Sequence, residues 1–327
     1  MDSFDLSDPA KRETWDALAQ RGSSLGIDPW CSHSSWSLAV HASFADPQSD
    51  PGPAFGLEHA NGVAAFGRLH TAEGASALVP LDRVWGFASP VVCGAGTETD
   101  VCEDLAAMLI ADPSWKICVL TGCEVDGPMF NGLVSGFGRH LQLYSGETRS
   151  RCLASLDGGV DHYLARRTRE HRRNLRQAQR QAGGLIYDIT DNDPPETIVE
   201  RLHMVEAKSW KGRDGSGIES PDMARLYSTL IYDLSQRKAL RCVFLQQDGS
   251  DVGFILGGVL GSTYRGLQIS FSEDVRARSV GNLLQWHEVK RSCAEGLHTY
   301  DLGMDIAYKR RWAEQLFETT AIVAVRR

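Results

Sequence analysis

The chain has 327 residues, of which 42% are hydrophobic and 23% charged, and it carries a net charge of −8 at neutral pH. This length suits one large domain or two of ordinary size, and the composition is typical of a soluble globular protein. The acidic balance argues against general nucleic-acid binding, because most of the surface would repel a phosphate polymer.

The sequence contains no apolar run long enough to span a bilayer, and its start lacks the basic and apolar segments of a signal peptide. Its eight cysteines are scattered, without a C-x-x-C pair or a suitably spaced histidine. We therefore expect a cytoplasmic protein with reduced thiols, no metal site and no cysteine nucleophile.

The N-terminal half alternates two kinds of hydrophobic pattern. Period-2 runs predict strands at residues 62–69, 75–81, 116–121 and 141–147, and helical periodicity predicts helices at 98–110 and 128–137. This half lacks the polar clusters found in the second half. We predict that it is a scaffold or specificity domain.

A basic segment, YLARRTREHRRNLRQAQRQ, follows at residues 163–181 and contains seven arginines. Its thin apolar seam predicts one helix that ends at Gly183-Gly184. Two interpretations stay open. The segment is a solvated helix between two domains, or its stretch from Arg166 to Arg180 binds an acyl carrier protein, the tail of a CoA molecule or a tRNA.

The C-terminal half has the predicted order β-β-β-α-β-α-β. Strands at 240–247 and 252–260 flank the turn Asp248-Gly249, a strong hairpin signal. A strand at 264–271, a helix at 280–295, a strand at 298–302, a helix at 306–315 and a strand at 319–325 complete it. The similar element order in the two halves suggests a tandem duplication.

The stretch FSEDVRARSVGNLL, residues 271–284, is the first whose residues suggest a binding site. A strand ends, a loop with Arg276 and Arg278 follows, and Gly281 lies in the first turn of a helix. Free N–H groups at a helix start attract anions, and a glycine lets a phosphate approach the backbone. The motif alone is weak, since ordinary loop-to-helix junctions share it.

Six segments carry a resemblance to a known family: residues 28–36, 79–84, 163–180, 206–218, 279–284 and the stretch YDLGMDIAYKRRW at 300–312. Together they resemble the GNAT superfamily of acyl-CoA-dependent N-acyltransferases. Within it, the chain resembles the CelD-like branch, in which two fused GNAT-type domains are related to the FemAB aminoacyl transferases.

The resemblance implies an α/β (α+β) fold of two tandem mixed-sheet domains. A degenerate GNAT-like domain would span 1–155, a basic linker helix 156–185 and a catalytic GNAT domain 186–327. The implied co-substrate is an acyl-CoA or acyl-carrier-protein thioester, with no permanently bound cofactor, and the implied acceptor is an amine of a small molecule, sugar or peptide.

The resemblance also implies which segments bind the acyl donor. The strand before the helix would flank the pantetheine arm and splay from the strand at 299–302, and the loop from Arg278 to Gly281 would hold the pyrophosphate. Leu283 departs from the usual pattern, which has glycine or alanine at that place. The implied donor-binding residues are Ile269, Ser270, Phe271, Arg276, Arg278, Ser279, Val280, Gly281 and Asn282.

Amine attack on a thioester needs a general base and a proton for the leaving thiolate. We predict catalytic roles for Glu206, Asp301, Tyr308 and Lys309, with the tyrosine as the acid. Trp210, Lys211, Asp305 and His287 are predicted to contact substrate, and the last two are further candidate bases. Each has a plain alternative: a surface carboxylate, a strand-closing aspartate, a core histidine, a solvated cation or a packed indole.

Two other functions stay open. One is an aminoacyl-tRNA-dependent peptide ligase of the FemAB type, which the arginine-rich helix favours and the acidic net charge opposes. The other is a degenerate GNAT fold that binds without catalysis, which the departure at Leu283 and the lack of one obvious base keep open.

Overall fold

The computed structural model describes residues 1–46, 54–70, 74–215 and 217–326. The chain forms two compact units, of which unit 1 takes Met1–Ser150 with Glu318–Arg327 and unit 2 takes Arg151–Phe317. Two long strands contribute to both units, β7 (Gln142–Ser155) and β13 (Gln315–Val325). The three-part division at residues 155 and 185 stays a prediction. None of the helices in the described ranges is long and apolar enough to cross a bilayer.

In unit 1 the strand order is β1-β2-β3-β4-β6-β13, and β5 pairs with β3. Within it β4 and β6 are parallel and its other neighbours are antiparallel. Its elements are β1 (Asp2–Phe4), α1 (Pro9–Ala19), α2 (Ser34–Phe44), β2 (Phe55–His59), β3 (Gly62–His70), β4 (Ser76–Pro80), β5 (Val91–Cys93), α3 (Glu98–Ala111), β6 (Ile117–Cys123) and α4 (Pro128–Gly138).

After β4 the chain folds back onto β6. Thr121 Oγ1 donates to the carbonyl oxygen of Ala88 at 2.8 Å. Gly122 has φ +74°, and a Cβ there would lie 2.3 Å from the carbonyl carbon of Ala88. A glycine is required here because the backbone is left-handed and a neighbouring segment occupies the side-chain space.

Unit 1 contains buried polar groups, contrary to the prediction that polar clusters are confined to the second half. Asp82 Oδ2 accepts from the backbone N–H groups of Phe87 at 2.9 Å and Ala88 at 2.8 Å. Asp28 Oδ1 accepts from the N–H groups of Trp30 at 2.6 Å and Cys31 at 2.9 Å. These carboxylates hold irregular loops, because buried N–H groups outside strands still need acceptors.

Unit 2 contains a six-stranded sheet with strand order β7-β12-β11-β10-β9-β8, in which β11 and β12 are parallel and the other pairs antiparallel. Its elements are α5 (Gly159–Ala165), α6 (Arg169–Arg180), β8 (Leu185–Ile189), α7 (Pro195–Glu206), α8 (Trp210–Arg213), α9 (Pro221–Gln236), β9 (Leu240–Gln247), β10 (Ser250–Leu260), β11 (Thr263–Phe271), α10 (Val280–Ala294) and β12 (Thr299–Met304). The predicted α/β fold with mixed sheets is confirmed.

Two predicted helices are wrong. The basic segment is not one helix but α5 and α6, because Thr168 turns the backbone to ψ 154° and its hydroxyl caps the N–H of His171. Residues 306–315 form only a short 3₁₀ turn, Lys309–Arg311, before β13 begins. The buried Trp312 fixes this turn, since its carbonyl oxygen accepts from Tyr163 Oη at 2.9 Å.

Candidate functional site

A cavity opens in unit 2 where β11 and β12 separate. The two strands pair only from Thr263 and Thr299 to Arg265 and Asp301. Beyond that point they diverge and border a cavity of about 370 Å³. Its lining residues are Trp210, Lys211, Ile255, Gly266, Leu267, Gln268, Ile269, Gln285, Tyr300, Leu302, Ile306, Tyr308 and Lys309.

An irregularity in β11 coincides with the point of divergence. Opposite β10, Gly257 pairs with Gly266 and Leu256 pairs with Gln268, so Leu267 is one extra residue on β11. A bulge of this kind bends the strand and increases its twist. Gly257 makes room for it, because a Cβ there would lie 2.5 Å from the carbonyl oxygen of Arg265.

Below the cavity lies a buried ionic cluster. The Asp301 carboxylate accepts from Arg151 Nη1 at 2.5 Å, Arg265 Nη1 at 2.6 Å and the N–H of Gly303 at 2.7 Å. Burial alone would raise the pKa of Asp301, but the two guanidinium groups hold it at about 2. A carboxylate held this way is a poor proton acceptor, so the geometry favours its plain alternative, a structural role.

Lys309 lies at the cavity wall near this cluster. Gly303 has φ +81°, and a Cβ there would lie 3.4 Å from Lys309 Nζ and 3.3 Å from Arg265 Nη2. The pKa of Lys309 is lowered to about 8, mainly by burial and next by the positive charge of Arg265, and Asp301 offsets part of this lowering. A fraction of this amine is neutral near physiological pH, as a general base requires.

Tyr308 lines the cavity beside Lys309, with 40% of its surface exposed. Burial of the rest raises its pKa, so the hydroxyl keeps its proton at neutral pH. Asp305 forms a bidentate ion pair with Arg310, at 2.8 Å to Nε and 2.6 Å to Nη2, and accepts from Cys152 Sγ at 3.3 Å. Asp305 does not line the cavity.

Trp210 and Lys211 reach the cavity from α8, whose first N–H groups are capped by Ser209 Oγ. Lys211 Nζ donates to the carbonyl oxygen of Ile269 at 2.9 Å. Burial lowers the pKa of Lys211, partly offset by Glu206. Trp210 is 48% exposed. Lys211 therefore contacts β11, and Trp210 lines the same cavity. The contact of both side chains with substrate stays a prediction.

Glu206 is fully buried and contacts the cavity residue Gln268. Its Oε1 accepts from Gln268 Nε2 at 3.1 Å and from the N–H of Ile218 at 3.4 Å, and Ser209 Oγ donates to Oε2 at 3.3 Å. Gln268 lines the cavity and Glu206 does not. Its contacts suit a residue that positions Gln268.

The loop predicted to bind the donor leads into the start of α10. A 3₁₀ turn, Glu273–Arg278, runs into α10 through Ser279, a non-glycine residue with φ +56°. No side chain caps α10, and the first N–H that bonds back is that of Leu283, to the carbonyl oxygen of Ser279 at 3.1 Å. The N–H groups of residues 280–282 precede the first intrahelical bond, as at any helix start.

The side chains of the donor loop differ in their surroundings. Arg276 has a 72% exposed side chain and a long ion pair with Glu273. Arg278 instead donates to Gln247 Oε1 at 2.6 Å and to the carbonyl oxygen of Gly183 at 2.5 Å. Val280 and Leu283 are buried in an apolar cluster that Phe271 covers, so the departure at Leu283 serves packing. Ser270 is buried and lies opposite Phe254.

His287 is not brought to the cavity. Its ring stacks on Tyr187 at a centroid distance of 4.4 Å, and burial lowers its pKa to about 4. The geometry therefore favours the plain alternative, a packed histidine. Among the described residues no group of three or more His, Cys, Asp or Glu side chains has an arrangement that could hold a metal ion.

The structure thus gathers Trp210, Lys211, Ile269, Tyr308 and Lys309 around one cavity. Sequence reasoning placed Gln268 in the strand beside the donor, but it missed the cavity residue Gln285 and the buried arginines of the ionic cluster. For Arg265 a signal existed, since a cation inside a strand predicts a carboxylate on the neighbouring strand. No comparable signal links Arg151 to a residue 150 positions away.

Comparisons with known proteins agree with this geometry. Residues 165–310 match the family model described as an acetyltransferase (GNAT) domain. The structure named FemX is similar with a TM-score of 0.68 and 14% identity, over 98% of this chain and 97% of that one. A conserved protein of unknown function from Bacteroides thetaiotaomicron has a TM-score of 0.64 and 11% identity, over 99% and 98%. L-PGS from Bacillus licheniformis has a TM-score of 0.55 and 12% identity, over 98% and 92%.

The search of curated proteins gave no match. At these identities the structural likenesses establish the fold, and the family model adds the domain type. The element order, the splayed strand pair and the family match agree, which confirms the resemblance to the GNAT superfamily. The CelD-like branch stays a prediction. Residues 165–310 therefore form a domain of the acetyltransferase (GNAT) family, and the chain as a whole has a fold similar to that of FemX.

Proposed function

We propose that the chain is an N-acyltransferase that moves an acyl group from acyl-CoA, or from an acyl carrier protein, to an amine of a small molecule, sugar or peptide. Within the superfamily, we propose that the chain belongs to the CelD-like branch. The observation that carries the proposal is the cavity between β11 and β12, which is lined by Gln285 of α10 and by Tyr308 and Lys309.

The donor enters at α10. Its phosphates bind the free N–H groups of residues 280–282, where the helix dipole and the exposed Arg276 favour negative charge. The arm then follows the unpaired edge of β11 and brings the thioester carbonyl between the strands. A backbone N–H near Ile269 or Ser270 stabilises the oxyanion that forms on attack.

Two side chains move the protons. The amine nitrogen of the acceptor attacks the carbonyl carbon, and its proton passes to the neutral form of Lys309, whose pKa is about 8. The C–S bond then breaks, and Tyr308 protonates the leaving thiolate. A positioned base contributes roughly 10²–10⁴-fold to the rate. Gln268, held by Glu206, and Trp210 orient the acceptor.

Thiol release from a panel of acyl-CoAs with mixed amine acceptors tests the proposal. We expect turnover by the wild-type chain and at least a tenfold loss of kcat/KM in Gly281→Asp, because a carboxylate would replace the pyrophosphate. Gly281→Ala is the matched control: it meets the same ring carbon, Phe271 Cε1 at 3.1 Å, without adding charge.

The outcome also has a clear negative form. If no acyl-CoA or acyl carrier protein is turned over and none raises the melting temperature, the transferase proposal fails. The non-catalytic alternative, a degenerate GNAT fold that binds a partner, then takes its place. If Gly281→Asp and Gly281→Ala lose activity equally, size and not charge is responsible, and the placement of the pyrophosphate is wrong.

One observation favours a second function, the aminoacyl-tRNA-dependent ligase. Lys211 and Tyr227 donate to the carbonyl oxygens of Ile269 and Leu267, so side chains already occupy two acceptors along the edge of β11. An aminoacyl ester has no pantetheine arm and does not need that edge. Activity that requires aminoacyl-tRNA and disappears with ribonuclease would favour this donor over a thioester.

A further inference from the structure

The helix α6 presents a row of four arginines on one face. Arg169, Arg173, Arg176 and Arg180 are all exposed and follow one another at spacings of four, three and four residues. At 3.6 residues per turn they lie within about 60° of each other around the helix axis, along roughly 16 Å. We call these four residues the arginine row.

The opposite face of α6 is the one that packs. His171, Leu175 and Ala178 are buried there, about 180° from the arginine row. His171 meets the ring of Trp312 edge-on at a centroid distance of 4.7 Å. The helix is therefore fixed by its buried side, and the row projects from a rigid support.

The arginine row differs from the basic residues just before it. Arg166 and Arg167 both form ion pairs with Glu314. Within the described ranges none of the four row arginines forms an ion pair, and the one acid within α6 is Glu170. Four adjacent like charges repel each other, so this face favours an acidic surface that would neutralise them.

The row leads to the donor site. Past its last member, Arg180, the chain reaches Gln181 and Gly183, whose carbonyl oxygens accept from Arg278 at 3.4 and 2.5 Å. Arg278 lies two residues before α10, and Gln285 of α10 lines the cavity. The row, the helix start and the cavity thus follow one another within unit 2.

We propose that the arginine row is the docking surface of an acidic acyl carrier protein, whose phosphopantetheine arm enters beside Arg278 at the start of α10. The proposal rests on the proposed function and names the donor. The acyl group passes from the carrier thioester to the acceptor amine, and the thiol stays on the carrier. Charge complementarity selects an acidic partner, and the short row suits the face of one small domain.

A tRNA is the less favoured occupant. It would extend far beyond a row of about 16 Å onto a protein whose net charge is −8. A small carrier domain needs no more surface than α6 and the donor loop supply.

Binding of a fluorescently labelled bacterial acyl carrier protein to the full chain, followed by anisotropy, tests the docking. The apo and holo carriers are both used, at two salt concentrations. We expect Arg173→Glu/Arg176→Glu to weaken binding of both forms at least tenfold, and salt to weaken wild-type binding. The control, Arg139→Glu/Arg225→Glu, makes the same charge change at exposed arginines outside α6 and should change binding less than twofold.

Three results would overturn the proposal: no carrier binding by the wild type, equal losses in the two variants, or tighter binding of tRNA than carrier through the same arginines. The melting temperature of each variant shows that it folds. Binding of the apo carrier requires no catalysis, so this readout stays separate from the acyl-CoA turnover that decides the proposed function.

Discussion

The two units differ at a corresponding position, which lies beside a glycine near the end of a strand. Each has a parallel strand pair whose second strand contains a glycine with positive φ next to its last residue, Gly122 in β6 and Gly303 in β12. At Gly122 the neighbour is the backbone of Ala88, whereas at Gly303 the neighbours are the side-chain ends of Arg265 and Lys309. Unit 1 fills the position with chain, and unit 2 leaves a cavity beside it.

The residues that precede these two glycines also differ between the units. Asp301 lies two residues before Gly303, and the corresponding residue before Gly122 is the buried Leu120. Strand β4 ends at Pro80, whereas β11 continues past Arg265 to Phe271. A continued strand leaves an unpaired edge for a ligand, and a terminated strand frees the chain to turn and cover it. At this position the two units therefore differ in where the first strand of the parallel pair stops.

Replacing Asp301 by alanine should have the largest effect on stability. The change leaves Arg151 and Arg265 buried without their shared anion, and we expect a loss of about 3–5 kcal/mol in the free energy of unfolding. Denaturant unfolding measures it. Asp305→Ala, which breaks a pair with the more exposed Arg310, is the control and should lose much less. Similar losses in both variants would contradict the assigned structural role of Asp301.

The two glycines test the comparison directly. Gly122→Ala adds a Cβ against backbone at left-handed φ and should lose roughly 3 kcal/mol of unfolding free energy. Gly303→Ala carries the φ strain alone, about 1–2 kcal/mol, because its neighbours are flexible side-chain ends. Thermal or denaturant unfolding of the pair decides it. Equal losses would mean that the position in unit 2 is as full as that in unit 1.

Replacing Lys309 by methionine should cost at least about 100-fold in kcat, because the proposed base is lost. In the wild type, kcat should rise with pH through about 8, as Lys309 loses its proton. Thiol release measured from roughly pH 6 to pH 10 gives both the loss in kcat and its pH dependence. Lys290→Met, at an exposed lysine of α10, is the control. A wild-type rate that instead falls above pH 8 would assign Lys309 the role of a cationic oxyanion partner.

Lys309 should also have a smaller effect, on the free energy of unfolding. Its pKa of about 8 in the fold lies below the ordinary 10.5, so between these values the unfolded chain binds the extra proton and stability rises with pH. Lys309→Met should therefore be more stable than the wild type at pH 7, on the order of 1–2 kcal/mol. The advantage should shrink from about pH 8 to 10.5. A difference that does not change with pH would contradict the lowered pKa.

Much of the fold follows from sequence patterns, since period-2 and helical runs predict β9, β10, β11 and α10 to within a few residues. The resemblance adds the splay of β11 from β12 and the place of Tyr308 and Lys309. Local patterns fail where tertiary contacts decide. Residues 306–315 have helical propensity, but Trp312 is held by Tyr163 from another part of the chain.

The same limit applies to the site. Trp210 and Lys211 were recognisable because they lie within a segment that resembles the family, whereas Arg151 becomes part of the site only through strand pairing across 150 residues. His287 shows the opposite error. Its spacing placed it on the apolar face of α10, and the polar nature of its ring suggested chemistry that its stacking on Tyr187 does not support.

The contact of Gly122 with Ala88 also bears on how such a tandem protein evolves. Point substitutions remove side-chain atoms, but the atoms that fill this position in unit 1 belong to the main chain. Reopening it would take a deletion or a rerouted loop, whereas one bulky side chain could close the cavity of unit 2. Substitution alone could therefore close the position in unit 2, but it could not open the corresponding position in unit 1.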